Sequence, residues 1–172
     1  MQIDQFDTGL KTKTNVKDIV ISPEQNLQNK NLIRSYLNQI INLGIKEIDK
    51  SLEKAFVNEV KVNCFYPLNE FTGLKNLKDK LWIPLLEAFP DLERREHIVL
   101  GGAFRDKILV GSYSVLSGHF KNSWLGIKPN FKMISLRCCE IHELKKDKIT
   151  ESHILIDAVS YTHLTLPTSD LV

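Results

Sequence analysis

The sequence predicts an α+β fold in which helices cover one face of a curved antiparallel sheet. Two patterns support this prediction. Apolar residues recur at helical spacing through the first half of the chain, and from Leu92 onward they alternate with polar residues. A run of helices followed by a run of hairpin strands is typical of an α+β domain.

Three helices are predicted in the first half of the chain. Ser22 is suited to be the N-cap of the first helix and Pro23 to be its first residue, whereas Gly44 marks its end. A second helix is predicted over about 46–56 and a third over about 74–89. Each of them presents apolar residues on one face, as helices that pack on a sheet do.

Five strands are predicted, and Asn69–Thr72 is interpreted as a turn between the first strand and the third helix. The last two strands are joined by a short polar turn, which predicts an antiparallel hairpin. The predicted strands cover residues 60–66, 97–102, 107–120, 131–144 and 148–157.

Both ends are set apart from the predicted domain, which covers residues 22–157. Residues 1–21 are polar and lack a clear period, so we expect a flexible leader. The run Val159–Thr168 can be encoded by DNA that resembles the transposase end and adapter of sequencing libraries. We therefore expect residues 158–172 to be adapter read-through after Asp157, with a natural Thr- and Leu-rich tail as the alternative.

Composition and charge indicate a folded protein. Of 172 residues, 42% are hydrophobic and 26% are charged, which excludes wholesale disorder. A net charge of +2 gives no basic footprint for nucleic acid or for an anionic membrane, so neither partner is expected. Three cysteines and the lack of a signal or membrane-length apolar run predict a cytoplasmic protein without a disulfide framework.

Motifs for metals and cofactors are not recognisable. Cys138, Cys139 and His142 have the wrong spacing for a zinc site. The sequence contains no Gly-rich phosphate loop and no Gly-x-Ser-x-Gly elbow. The pair Arg94-Arg95 is interpreted as part of a solvated turn. We expect no cofactor and no metal.

Side-chain alternation places polar groups among apolar ones on one face of three predicted strands. If these faces line the concave side of the sheet, they form a small-molecule pocket with apolar walls that include Tyr113, Val115, Leu155 and Trp82. A carboxylate in such a pocket has a raised pKa, which suits a proton shuttle. The polar groups on these faces are His119, Arg137, His153 and Asp157.

Alternation alone does not decide which face is concave. In the alternative interpretation, Asp157 ends a strand in water and His153 pairs with a neighbouring glutamate.

Two motifs suggest a family. Gly118-His119 is followed by Leu-Gly-Ile at 125–127, and the closing strand runs from Lys-Ile-Thr-Glu at 148–151 to Asp157. Over about residues 25–157 the chain resembles the SnoaL-like polyketide cyclase family of the nuclear transport factor 2-like superfamily. It departs from the family's Pro-x-Thr-Gly after Leu-Gly-Ile, and it lacks the Gln-Leu-Gly that usually follows the aspartate.

The resemblance implies a cone-shaped sheet around a deep pocket and an intramolecular aldol closure of a hydrophobic carbonyl compound, without metal or cofactor. The family's acid/base carboxylate lies on the last strand, where Asp157 matches it. His119 is the candidate to stabilise an oxyanion or hold the carboxylate, and His153 is a second choice. The candidate substrate-binding residues are Phe65, Trp82, Tyr113 and Trp124 for the wall and lid, and Glu70 and Arg137 for polar substituents.

A non-catalytic module that binds a ligand or mediates dimerisation is the alternative function. An Asp157 buried at the floor of an apolar cavity favours the enzyme, and an exposed one favours the module. The alternation of Lys132, Ile134, Leu136 and Cys138 predicts a partly apolar outer face and hence a homodimer.

Overall fold

The computed structural model of the protein describes residues 19–158. Its helices and longer strands follow one another in the predicted order. The predicted leader up to residue 18 and the predicted read-through from residue 159 lie outside the described residues. Helix α1 spans Pro23–Leu43, and a 3-10 turn (Gly44–Glu47) joins it to α2 (Ile48–Ala55). A third helical stretch consists of α3 (Leu74–Asn76), a π-helical segment (Leu77–Trp82) and α4 (Ile83–Ala88).

Six strands form one sheet that is not closed. The bounds are β1 Phe56–Cys64, β2 Glu70–Thr72, β3 Glu93–Phe104, β4 Lys107–His119, β5 Met133–Lys145 and β6 Lys148–Ile156. The short strand β2 replaces the predicted turn and pairs with the edge of β1. Three residues are too few to show an alternating pattern, so this strand is not predictable from the sequence.

The sheet order is β2-β1-β6-β5-β4-β3, and all neighbours are antiparallel except β1 and β6, which are parallel. The predicted antiparallel sheet is therefore a mixed one. The helical stretch 74–88 and four further strands separate β1 from β6 in the chain, so no tight turn imposes an antiparallel pairing on them.

Local signals at helix and hairpin ends are confirmed. The Ser22 side chain accepts a hydrogen bond from the backbone N–H of Gln25 at 3.1 Å, and Gly44 ends α1 with a φ of 63°. The predicted hairpin joins β5 to β6 through Lys146 and Asp147, with φ values of 48° and 58°. Two successive residues with positive φ give the turn the twist that a two-residue hairpin favours.

Helices cover one face of the sheet, here called the inner face. The core consists of the apolar faces of α1, α2 and the third helical stretch together with the inner side chains of the strands. Large core residues include Ile33, Leu37, Leu52, Leu81 and Phe120. No helix within residues 19–158 is long and apolar enough to cross a membrane.

The predicted alternation of β4, β5 and β6 is present, but its two faces are the reverse of the prediction. Tyr113, Arg137 and Leu155, expected on the concave side, point away from the helices onto what we call the outer face. Leu136 and Cys138, expected on the outer face, are only 2% exposed beneath the helices. The reversal has a physical reason, since the inner face of these strands carries more polar residues than buried faces usually do.

Candidate functional site

Polar side chains gather on the inner face at the centre of the sheet. Cross-strand register places them in neighbouring rows, with Ser112 opposite Glu140 and His142 opposite Ser152. All of them lie beneath the helices, where burial of an unpaired polar group is costly. We call the set the inner polar cluster; it consists of Arg94, Ser112, Ser114, Glu140, His142 and Ser152.

Glu140 on β5 is the acidic member of the inner polar cluster, and it is 1% exposed. The Ser112 hydroxyl donates a hydrogen bond to its Oε2 at 3.0 Å, whereas its Oε1 has no partner among the described residues. Burial raises the pKa of Glu140 above its ordinary value, although the charge of Arg94 and the bond from Ser112 oppose the shift. A carboxylate with a raised pKa is a stronger base than an ordinary one, which suits it to proton transfer.

His142 lies two residues further along β5 on the same face, about 7 Å away along the strand. Its Nδ1 shares a hydrogen bond of 2.8 Å with Oγ of Ser152, and its Nε2 has no partner among the described residues. Burial, followed by the charges of Arg94 and His153, lowers the pKa of His142 to about 3. The imidazole is therefore neutral near pH 7, and when Ser152 donates to Nδ1 its Nε2–H is a free donor.

An aromatic wall surrounds the His142 ring. Tyr36 of α1 and Phe56 of β1 meet it edge-on, with ring centroids 6.1 Å and 6.4 Å away. Trp82, at the end of the π-helical segment, meets Tyr36 at 6.0 Å. This wall excludes water from His142 and gives the inner site a hydrophobic side for a carbon skeleton.

Unpartnered buried atoms converge in the inner polar cluster. Besides those of Glu140 and His142, Nε and Nη2 of Arg94 lack a hydrogen bond among the described residues. Native proteins leave few such atoms, and those they leave require a physical explanation. A site shaped for polar groups of a ligand explains why so many lie together on one face.

The outer face holds the predicted catalytic aspartate. Asp157 accepts a hydrogen bond from Nη2 of Arg137 at 2.8 Å. Both residues line an open cleft of about 610 Å³ together with Phe65 and Tyr113. The structure thus brings four predicted site residues together, on the face opposite the helices. The Asp157 side chain is 26% exposed, so it is not at the floor of an enclosed cavity.

The two predicted catalytic histidines lie apart from Asp157. Nδ1 of His119 is 2.6 Å from Oδ2 of Asp91, and this side-chain pair is exposed. Nε2 of His153 is 3.1 Å from Oε1 of Glu151. This contact is the one that the alternative interpretation predicts, in which His153 pairs with a neighbouring glutamate.

The other predicted binding residues are dispersed. Trp82 lies in the aromatic wall of the inner site, as a predicted wall residue should. Trp124 is buried between Phe65 and Phe89, with ring centroids about 6 Å from each. Glu70 lies on the edge strand β2, beside a separate surface cleft.

Sequence reasoning did not identify the inner polar cluster. From the sequence, Arg94 is interpreted as part of a solvated turn, His142 is considered only as a zinc ligand and Glu140 is not singled out. A signal was nonetheless present, since Ser112 and Ser114 share one phase of β4 and Glu140 and His142 share one phase of β5. Polar residues repeated in phase on adjacent strands indicate a lined site.

Metal chemistry has no obvious ligand set in the described part of the chain. No group of three or more His, Cys, Asp or Glu side chains within residues 19–158 is placed to hold a metal ion.

Comparison with solved structures identifies the fold of this chain. No protein-family model and no curated protein matches the sequence. The structure is similar to a protein from Jannaschia sp. CCS1 assigned as a SnoaL-like polyketide cyclase, with 16% identity, 83% of this chain and 93% of that chain covered, and a TM-score of 0.67. A SnoaL-like polyketide cyclase from Agrobacterium tumefaciens matches with 15% identity, 79% and 96% coverage, and a TM-score of 0.61.

A third similar structure is assigned a different activity. AclR from Streptomyces galilaeus, assigned as a hydroxylase, matches with 18% identity, 84% of its own chain and 83% of this one, and a TM-score of 0.64. One fold thus hosts several assigned chemistries, and the activity has to be argued from the site. The resemblance expected from the motifs is confirmed at the level of architecture: the chain has the fold of the SnoaL-like polyketide cyclases.

Proposed function

We propose that the chain is a SnoaL-like cyclase or isomerase that moves a proton at the carbon next to a carbonyl group of a hydrophobic small molecule. The reaction is placed in the inner polar cluster. The observation that carries the proposal is the pair of unpartnered atoms, Oε1 of Glu140 and Nε2 of His142, on one buried face of β5. An acid/base group and a neutral hydrogen-bond donor in a dry site are the parts that enolate chemistry requires.

Glu140 and His142 together account for every proton that the proposed reaction moves or holds. The carboxylate of Glu140 takes the proton from the α-carbon, and the electrons of the broken C–H bond form an enolate. The Nε2–H of His142 donates a hydrogen bond to the enolate oxygen. In an aldol closure the enolate carbon then bonds to a second carbonyl carbon, and the resulting alkoxide recovers the proton from Glu140. No external acid, base or oxidant is consumed.

Environment supports both roles. The raised pKa of Glu140 makes its carboxylate a stronger base, and the lowered pKa of His142 keeps the imidazole ring uncharged. A neutral imidazole is a hydrogen-bond donor that retains its proton, so it stabilises the oxyanion without competing for the transferred proton. The aromatic wall around His142 supports a hydrophobic substrate.

Asp157 is the competing acid/base, as the family resemblance implies. The outer cleft of about 610 Å³ beside it supports a ligand there. Its carboxylate is already engaged by the Arg137 guanidinium, whereas Oε1 of Glu140 has no partner among the described residues. The inner site is therefore the better supported location for proton transfer.

Deuterium exchange tests the proposal without knowledge of the substrate. Aryl ketones and β-keto esters are incubated with the protein in deuterium oxide, and NMR follows deuterium uptake at the α-carbon. We expect wild type to accelerate uptake and Glu140→Gln to lose about 10²–10⁴-fold of the rate. Asp157→Asn is the matched control, since it removes the outer carboxylate and should keep the rate. A rate lost in Asp157→Asn and kept in Glu140→Gln contradicts the proposal.

A homodimer that pairs through the outer face is the second function we propose, either beside catalysis or as the whole role of a non-catalytic module. Large apolar side chains exposed on that face support it, among them Met133, Ile141 and Leu155. Sedimentation velocity tests it: we expect a dimer in wild type and a monomer in Leu155→Lys. A wild-type monomer at high concentration contradicts it.

A further inference from the structure

The guanidinium of Arg94 is the charged group of the inner polar cluster that the proposed proton transfer does not use. Its side chain is 3% exposed, and its cross-strand neighbours in the same row are the buried Leu116 and Leu136. A cation in such surroundings is costly unless hydrogen bonds and an opposite charge satisfy it. The contacts of this group therefore indicate what it is suited to bind.

Glu96 holds one side of the guanidinium. Nη1 of Arg94 lies 3.6 Å from Oε2 of Glu96, and Nε of Arg34 donates to Oε1 of the same carboxylate at 2.9 Å. Nε and Nη2 of Arg94 have no partner among the described residues. These two nitrogens form one edge of the planar group, with parallel N–H bonds at the spacing of two carboxylate oxygens.

Glu140 does not occupy this edge. In the described part of the chain, Arg94 forms an ion pair with Glu96 and none with Glu140. Burial and cross-strand register place Arg94, Glu140 and His142 on the same inner face, and the charge of Arg94 lowers the pKa of both Glu140 and His142. Arg94 lies in the same cross-strand row as Leu136 of β5. Leu136 is four residues from Glu140, so the two rows are about 13 Å apart along the strand.

We propose that the substrate of the inner site carries a carboxylate, which binds the Nε–Nη2 edge of Arg94 through two parallel hydrogen bonds while the reacting carbonyl lies beside Glu140. This rests on the proposed function, because it names the substrate class of the same site. The distance between the two rows fits an elongated carbonyl acid better than a compact ketone. Glu96 is the positioning residue that directs the free edge of Arg94 inward.

Calorimetric titration of matched probes tests this. Phenylacetate and decanoate are compared with phenylacetamide and decanamide, which have the same skeletons without the charge. We expect wild type to bind each acid at least about tenfold more tightly than its amide, because charge-assisted bidentate bonds are stronger than neutral ones. Equal affinities for acids and amides in wild type overturn the proposal.

Three arginine variants locate the binding charge. Arg94→Gln should abolish the preference for acids. Arg95→Gln is the matched control on the same strand, since that side chain is on the outer face, and Arg137→Gln removes the cation of the outer cleft. Both controls should keep the preference. Its loss in Arg137→Gln, or its retention in Arg94→Gln, overturns the proposal.

Arg94→Lys covers the case in which Arg94→Gln does not fold. It keeps the charge without the planar fork, so the preference should fall between those of wild type and an uncharged site. An undiminished preference in Arg94→Lys overturns the bidentate contact. The deuterium assay separates the two proposals. If acids and amides bind equally while exchange still requires Glu140, only the carboxylate inference fails. If acids are preferred while exchange ignores Glu140, only the proposed function fails.

Discussion

The two faces of β4, β5 and β6 differ in a way that runs against the usual distribution of polarity. The inner face is covered by helices and carries a carboxyl group, an imidazole and three serines. The outer face is open and carries apolar side chains such as Ile141 and Leu155, which are at least half exposed. Polar groups are thus buried and apolar groups are exposed on the same three strands.

This contrast teaches that each face departs from expectation for a separate reason. Burial of polar atoms without partners is unfavourable for folding, so their presence on the inner face indicates a functional requirement. Exposure of a contiguous apolar surface is likewise unfavourable, and it indicates a surface meant to be covered. These departures are why we propose the inner face as the chemical site and the outer face as the place of association.

Adjacent apolar residues on β6 give the largest expected difference between the faces. Ile154 is 2% exposed on the inner face and Leu155 is 57% exposed on the outer face. We expect Ile154→Ala to lower the free energy of unfolding by about 2–5 kcal/mol, because it leaves a cavity in the core. Leu155→Ala should change it by less than about 0.5 kcal/mol in dilute protein. Urea unfolding measures both, and similar losses for the two variants contradict the assignment of faces.

The pH dependence of the free energy of unfolding distinguishes the buried His142 of the inner face from exposed histidines. Because its pKa is lowered from 6.5 to about 3, the unfolded chain binds a proton in this range that the folded protein does not. His142 should therefore contribute a loss of stability as the pH falls below about 6.5, with a slope of up to about 1.4 kcal/mol per pH unit. The raised pKa of Glu140 acts in the opposite direction over part of this range.

The difference between wild type and His142→Asn isolates the histidine. We expect the unfolding free energy of the variant to depend less steeply on pH below about 6.5. His97→Asn is the control, because that histidine is exposed and does not contribute to the pKa shift of His142. Parallel pH profiles of wild type and His142→Asn contradict a buried neutral imidazole.

Two neighbouring cysteines report on the faces with a smaller effect. Cys138 is buried and Cys139 is exposed. Burial, with the nearby charge of Glu140, raises the pKa of Cys138 well above its ordinary value. In a Cys64→Ser background, Cys139 should react with a disulfide reagent more than about tenfold faster than Cys138, because the thiolate is the reactive form. Faster labelling of Cys138, identified by mass spectrometry, contradicts the assignment.

Local patterns predicted much of the fold. Ser22 and Gly44 mark the ends of α1, and each of the five predicted strands begins or ends within about two residues of its predicted position. Signals of this kind are carried by neighbouring residues, so a single sequence displays them. The parallel pairing of β1 with β6 is different, because it depends on contacts between segments far apart in the chain.

The candidate site was less accessible from the sequence. The alternation of β5 was predicted, but its direction was reversed, because Met133, Cys139 and Ile141 make the outer phase look like a core face. Register across three strands brings Arg94, Ser112 and Glu140 to the same side of the sheet, and no spacing along the chain expresses that proximity. The family resemblance led to the correct fold and placed the acid/base group at Asp157, whereas the buried geometry favours Glu140.

The central claim is that ligand chemistry takes place on the inner face. Crystals soaked with 4-iodoacetophenone test it directly, because the anomalous signal of iodine gives the position of a neutral carbonyl probe. We expect an iodine peak between the sheet and the helices, within contact distance of the Tyr36 and His142 rings. A peak confined to the outer cleft beside Tyr113 and Asp157 would contradict the account.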